Sequence, residues 1–319
     1  MKTHGDDGWQ SFPSYLDMVV PRFLEALDDA DLKITVFVVG QDAALEKNHT
    51  ALRTIADAGH EIGNHSFHHE PWLHLYRPDE LSNEIGRAEA AIEKATGIRP
   101  RSFRGPGYSL SENVLQELRN RSYIFDCSTF PTVIGPLARA YYFAKASLGT
   151  VQKEKRKNLF GGVTDGFRPL REYHWDLGGQ QLLEIPVTTM PFTRVPIHFS
   201  YLQWLAGMSD SLAQTYFAAS LRMCKLGQLN PSMLLHPLDF LGGDDVRELA
   251  FFPAMNQSSA VKMKRMKTYL AMLSDAYETV PMGEHAARVT TPALPLRKPD
   301  FRAAQTLELS AREQTEASQ

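Results

Sequence analysis

Apolar residues recur at helical spacing at Val20, Phe23, Leu24 and Leu27, and the continuous β-branched run of residues 33–39 follows, closed by Gly40. This predicts a helix feeding a buried strand. Leu45, Leu52, Ile55 and Ala56 repeat the helical spacing up to Gly59, and residues 61–65 read as a second strand. Pro78 opens another helix, with Asp79 and Glu80 in its first turn and Leu81, Ile85, Ala88 and Ile92 on one face up to Gly97. Ser102 and Phe103 predict a third strand, and Ser111 a cap for a helix carrying Val114, Leu115 and Leu118. Strand and helix alternate through residue 126, the pattern of parallel βα units.

That order stops near Phe130. Residues 131–180 carry aromatics, glycines and the basic cluster Lys153, Lys155, Arg156 and Lys157 without a clean period, and read as an insertion or lid. Strands are expected again at 182–187 and 233–236, and a late helix through Met266, Tyr269, Leu270, Leu273 and Tyr277. The expected organisation is one catalytic domain over residues 1–296 and a polar, mobile tail over 297–319. Residues 197–223 hold many aromatic and aliphatic side chains, which form either core or a greasy surface.

Composition narrows the class. The chain has 319 residues, 43% apolar and 22% charged, as a folded globular protein has. Its 34 basic and 37 acidic residues give a formal charge of −3, so no basic field for nucleic acid is expected. The two cysteines, Cys127 and Cys224, are too few and too distant for a disulfide scaffold or a cysteine-built zinc site. The acidic opening predicts no signal peptide, and no uncharged apolar run reaches the roughly 18 residues of a spanning helix. A cytoplasmic protein, on the inner face of the membrane if it meets lipid at all, is the expectation.

Three groups carry candidate chemistry. Asp6-Asp7-Gly8 can divide cation binding and base catalysis between adjacent carboxylates, though alone such a tripeptide is a surface turn. In His65-Ser66-Phe67-His68-His69 a helical turn would place His65 and His69 on one face at chelating distance, and His68 is an alternative at the i+3 position. Arg104, at a strand end before Gly105-Pro106-Gly107-Tyr108, can hold a carboxylate in a bidentate fork, or make an ordinary surface salt bridge. His60 and His74 read as structural.

Taken in order, these segments resemble the polysaccharide deacetylase family, also called the NodB-homology or carbohydrate esterase family 4 group. The acidic pair, the His-Ser-x-x-His run and the segment Arg104 to Tyr108 match its motifs, and the phrases at 35–40 and 59–64 resemble its framework. The resemblance covers residues 5–130 firmly and 180–240 loosely. It implies an irregular (β/α) barrel of deformed TIM-like type, with an insertion between the later strands. It also implies Asp6 as base, Asp7, His65 and His69 as metal ligands, and Arg104 as the tether of the base. Pro106 and Tyr108 would belong to the segment receiving the oxyanion, His236 would be the general acid, and Asp126 would orient it. Only five residues precede the acids, so the first strand is expected to be truncated or remodelled.

The implied activity is hydrolysis of an N-acyl, chiefly acetyl, group from an amino sugar, with one divalent ion, Zn2+ by default and Co2+, Ni2+ or Fe2+ as alternatives. The implied partner is the acylated sugar, lipid-linked or of the cell envelope, with peripheral membrane contact an option. A deformylase or cyclic-amide hydrolase of the same superfamily is the nearest alternative, and a non-catalytic carbohydrate- or lipid-binding protein is the alternative of another class.

Overall fold

The computed structural model describes residues 13–133, 166–250, 252–289 and 294–301. Helix α1 (Leu16–Asp28) turns Val19, Val20, Ala26 and Leu27 inward and leads to strand β1 (Thr35–Val38). A short turn, α2 (Gly40–Ala43), and helix α3 (His49–Asp57) connect β1 to β2 (Glu61–Asn64). Helix α4 (Pro78–Thr96) begins where the Pro-Asp-Glu sequence places it, and Glu80 accepts the Arg77 N–H at 2.8 Å. It ends on Gly97, whose φ of 78° is the left-handed conformation that a side chain would strain.

Strand β3 (Ser102–Phe103) is followed by α5 (Glu112–Asn120), capped by Ser111 Oγ, which accepts the Val114 N–H at 3.3 Å. Then come β4 (Phe125–Asp126), β5 (Tyr173–Asp176) and β6 (Gln181–Glu184). Helices α6 (Phe199–Ala206), α7 (Asp210–Leu226), α8 (Ser259–Ala276) and α9 (Met282–Val289) precede β7 (Leu296–Arg297).

Among the described residues the seven strands form one sheet in the order β1-β2-β3-β4-β6-β5-β7. The first five are mutually parallel, β5 is antiparallel to β6, and β7 runs parallel to β5. The register matters for function. Val38 pairs with Asn64, Asn64 with Phe103, Phe103 with Asp126, and Asp126 with Glu184, so five strand ends form a single row. Whatever follows those residues emerges on one rim, the carboxyl rim where α/β folds assemble sites. The architecture is the mixed α/β, mostly parallel arrangement of an irregular (β/α) barrel.

The main core joins α1, α3 and the inner face of α4 to α6, α7 and α8 through Leu27, Ile55, Ile92, Phe199, Phe217 and Tyr269. A second cluster packs Leu81, Ile85, Phe103, Leu115, Tyr123 and Trp175 on the sheet. Within residues 197–223, Ile197, Phe199, Leu202, Phe217 and Leu221 lie in the core, while Trp204, Met208 and Leu212 are exposed.

Several expectations change. The aperiodic segment 131–180 contains β5 near its end, where Tyr173-His-Trp-Asp176 buries alternate residues, a short strand pattern that the sequence reading passed over. Residues 134–165, with the basic cluster, lie outside the described residues. Residues 233–236 are extended but join no ladder; the Leu234 carbonyl instead accepts the Phe199 N–H at 3.2 Å. The segment assigned to the tail begins inside β7, and residues 302–319 lie outside the described residues. No helix among the described residues is long and apolar enough to cross a membrane.

Candidate active site

The loop after β2 is built from its first residue. Buried Asn64 donates to the Tyr123 hydroxyl (2.8 Å) and the Ile85 carbonyl (3.3 Å) while accepting the Ser66 N–H (2.9 Å). The backbone N–H of His65 reaches the Val38 carbonyl of β1 at 2.9 Å. Ser66 and His69 adopt left-handed backbone, with φ of 63° and 58°. His65 and His69 are thus brought together by a doubly kinked loop, not by the helical turn that their spacing predicts. Their ring centroids lie 4.7 Å apart, edge to face.

His65 Nδ1 lies 2.6 Å from the Arg104 carbonyl. A carbonyl cannot donate, so Nδ1 carries the hydrogen and Nε2 keeps its lone pair. Burial, with the neighbouring His69, holds the His65 pKa well below its ordinary value. A neutral imidazole with a bare Nε2 is what a divalent cation requires. On this observation the donor set fits a metal ion.

His68 points the other way. Its Nδ1 lies 2.6 Å from Glu84, and the same carboxylate accepts the N–H groups of Phe67 (2.9 Å) and His68 (2.6 Å). Burial opposes ionisation of Glu84, but these hydrogen bonds outweigh it and hold its pKa below the usual carboxylate value. His68 therefore anchors the loop to α4, and His65 and His69 remain the candidate ligand pair. Among the described residues no group of three acidic, histidine or cysteine side chains forms a complete cation site. Asp6 and Asp7 lie outside the described residues.

Arg104 follows β3, and its Nε donates to the Cys127 carbonyl at 3.2 Å while its guanidinium carbon sits 4.5 Å from the Phe37 ring centroid. Gly105 is required at the next position, because a Cβ there would lie 2.1 Å from the Ser109 carbonyl oxygen. The Tyr108 N–H donates to the Gly105 carbonyl at 3.0 Å, across the turn that Pro106 opens. An acyl oxygen using that donor would have to displace the turn's own hydrogen bond.

Aromatic rings continue the rim. Tyr108 stacks on Phe130 at 4.4 Å, Phe130 lies 6.2 Å from His198, and His198 lies 4.2 Å from Tyr201 and 5.9 Å from His236. The Nδ1 of His198 is buried without a hydrogen-bond partner among the described residues.

The expected pairing of His236 with Asp126 is not what the structure contains. Asp126 is fully buried and accepts from the Ser128 hydroxyl (2.7 Å) and N–H (3.1 Å). It also shares a hydrogen bond with Glu184, which accepts from Thr129 N–H and the Trp175 indole, both at 2.8 Å. Burial and the Asp126 charge push Glu184 well above the ordinary carboxylate range, so the pair retains a proton and fastens β4 to β6. The reason is register: Asp126 and Glu184 are ladder partners.

The acid beside His236 is Asp239. The His236 ring, 48% exposed, places Nδ1 3.0 Å from Ser200 Oγ and 3.9 Å from Asp239, whose carboxylate accepts the His236 N–H at 2.8 Å. Sequence reading missed His198, Ser200, Asp239 and Glu184. The signal for Asp239 was present: Pro237 after a histidine with an acid three residues on is the spacing of a capped helical turn. His198 was absorbed into an apolar stripe, and Ser200 had no signal.

Residues 5–124 match the family model described as polysaccharide deacetylase. Over 104 residues the chain is 32% identical to a peptidoglycan-N-acetylglucosamine deacetylase of Bacillus cereus, covering 33% of this chain and 37% of that one. Over 110 residues it is 31% identical to the peptidoglycan-N-acetylmuramic acid deacetylase PdaA of Bacillus subtilis, covering 34% and 41%. The chain thus spans well under half the length of these relatives. A solved structure named for a polysaccharide deacetylase of Mycobacterium smegmatis shares the fold, with a TM-score of 0.55 and 19% identity over 90% of this chain and 83% of that one. The segment 5–124, which carries the histidine loop and the Arg104 turn, is thus similar to the polysaccharide deacetylase family.

Proposed function

We propose that the protein is a metal-dependent hydrolase that removes the N-acetyl group from an amino sugar of a cell-wall glycan. The observation carrying this reading is the buried His65, with Nδ1–H given to the Arg104 carbonyl and Nε2 bare beside His69. The names of the relatives supply the substrate class. In this reading His65, His69 and Asp7 hold the cation, which when bound polarises the acyl carbonyl and acidifies water. Asp6 takes the proton of the attacking water. The developing oxyanion is received near the Gly105 to Tyr108 turn. His236, half exposed on the same rim, gives a proton to the departing amine, without which an amine leaves poorly.

The test is metal analysis joined to product analysis on N-acetylated chitooligosaccharides and peptidoglycan fragments. His65→Ala or Asp7→Ala should lose the cation, whereas Asp6→Asn should retain it and lose turnover. Free acetate from wild type but not from Asp6→Asn supports the reading. Release of formate or ring-opened amide alone would move it to the deformylase or cyclic-amide branch, and binding without turnover by the metal-loaded wild type would overturn it.

A further inference from the structure

Two buried charged groups lie under His236 that the expected mechanism does not use. Asp239 is 2% exposed and Lys262, reaching across from α8, is 1% exposed. Lys262 Nζ donates to the Leu238 carbonyl at 2.5 Å, and its charge acts on Asp239. A lysine and an aspartate this deeply enclosed are costly to keep unless their placement serves something. Beside the imidazole stands Ser200, the second residue of α6. Its oxygen is 3.0 Å from His236 Nδ1, and the Asp239 carboxylate lies 3.9 Å from the same nitrogen.

The surroundings of Nδ1 set its protonation. A serine oxygen and a carboxylate both face this nitrogen, so a hydrogen there meets acceptors, whereas a lone pair there would face the carboxylate charge. The ring therefore carries its hydrogen on Nδ1, and Ser200 Oγ accepts it. The neutral ring keeps that Nδ1–H and turns Nε2 toward the rim, and a proton added to the ring can only go to Nε2.

We infer that Ser200 and Asp239, with Lys262 beneath them, are the positioning residues of His236, setting its tautomer so that Nε2 is the atom that exchanges a proton with the reacting group. The inference deepens the proposed hydrolysis and rests on it for the identity of that group. In the step it serves, the C–N bond breaks as the proton on Nε2 passes to the departing amine nitrogen. Nδ1 keeps its hydrogen on Ser200 throughout, so the imidazolium becomes the neutral Nδ1–H ring. Asp126, committed to Ser128 and Glu184, takes no part.

The experiment has two readouts on the metal-loaded full chain. First, 15N spectra of histidine-labelled protein, with His236 assigned by its loss in His236→Gln, report the tautomer whether or not a substrate is known. Wild type should show Nδ1–H, and Ser200→Ala should shift the ring toward the Nε2–H form. Ser200→Thr, which keeps the hydroxyl, should restore the wild-type signature. Second, kcat is compared on an N-acetyl amino sugar and on 4-nitrophenyl acetate, whose leaving group needs no acid. Ser200→Ala and Asp239→Asn should lower amide turnover about 10-fold or more relative to ester turnover, a modest share of what general acids supply.

An Nε2–H ring in wild type, an unchanged ring in Ser200→Ala, or equal losses on both substrates would overturn the inference. Wild type inert toward both substrates would instead remove the hydrolase reading, and the tautomer measurement would still decide the relay. Asp239 also caps its turn, so Ser200→Ala keeps the test decisive if Asp239→Asn fails to fold.

Discussion

At the scale of single residues, the molecule secures its histidine loop with one carboxylate. Glu84, on the face of α4, satisfies two loop N–H groups and the His68 ring at once. The sequence shows three histidines in five residues and leaves open which two face the same way. That choice rests on Glu84, sixteen residues downstream of His68, and no spacing rule reaches so far. Glu84→Ala leaves two buried donors and an imidazole without a partner, and should cost about 2 to 3 kcal/mol by urea denaturation. Glu84→Gln keeps one acceptor and should lose less. Both should weaken metal retention, because the kinked loop that pairs His65 with His69 is no longer held. Unchanged metal affinity in Glu84→Ala would show that the loop holds its shape by the backbone and Asn64 alone.

At the scale of elements, the strands are short and their pairing does what their length cannot. β3 and β4 have two residues each, yet the row Val38, Asn64, Phe103, Asp126 and Glu184 aligns five strand ends. Periodicity made α1, α3, α4, α5, β1 and β2 legible, helped at β1, α3, α4 and α5 by Gly40, Gly59, Pro78, Gly97 and Ser111 at their ends. It did not make β5 legible, because an antiparallel strand following an aperiodic segment offers only two inward residues, Tyr173 and Trp175. The role of Asp126 was misread for a related reason: a strand-end acid looks the same in sequence whether it faces the rim or the next strand.

The buried pair at the β4–β6 seam makes this distinction measurable. The Glu184 pKa is raised in the folded state, so its stabilising proton is fully held below the ordinary carboxylate pKa of about 4.3. That contribution declines as pH rises from there through the raised folded value. Wild type should therefore lose stability as pH rises above the ordinary carboxylate range in urea titrations, and Glu184→Gln should lose part of that slope. An identical slope in Glu184→Gln would mean that the pair carries no proton across the seam.

At the scale of the whole molecule, the main core answers whether the late helices are an appendage. Leu27 of α1 and Ile55 of α3 share one cluster with Phe199 of α6, Phe217 of α7 and Tyr269 of α8. His236 and its supports come from this late half, while the proposed cation ligands come from the early half, so the proposed site is complete only when both pack together. We therefore expect the described elements α1 through α9 to unfold as one cooperative unit. Phe217, fully buried against Phe199 and Tyr269, should report this most clearly. Phe217→Ala should cost about 3 to 5 kcal/mol and lower the single transition seen by both tryptophan fluorescence and far-ultraviolet dichroism. Met208, 62% exposed beside Trp204 and Leu212, is the matched control: Met208→Ser should move the midpoint by no more than about 0.5 kcal/mol. Two separate transitions in Phe217→Ala, with the early half retaining its structure, would divide the chain into independent units. The rim would then have to be assembled by docking, and metal retention would persist after the late half had melted.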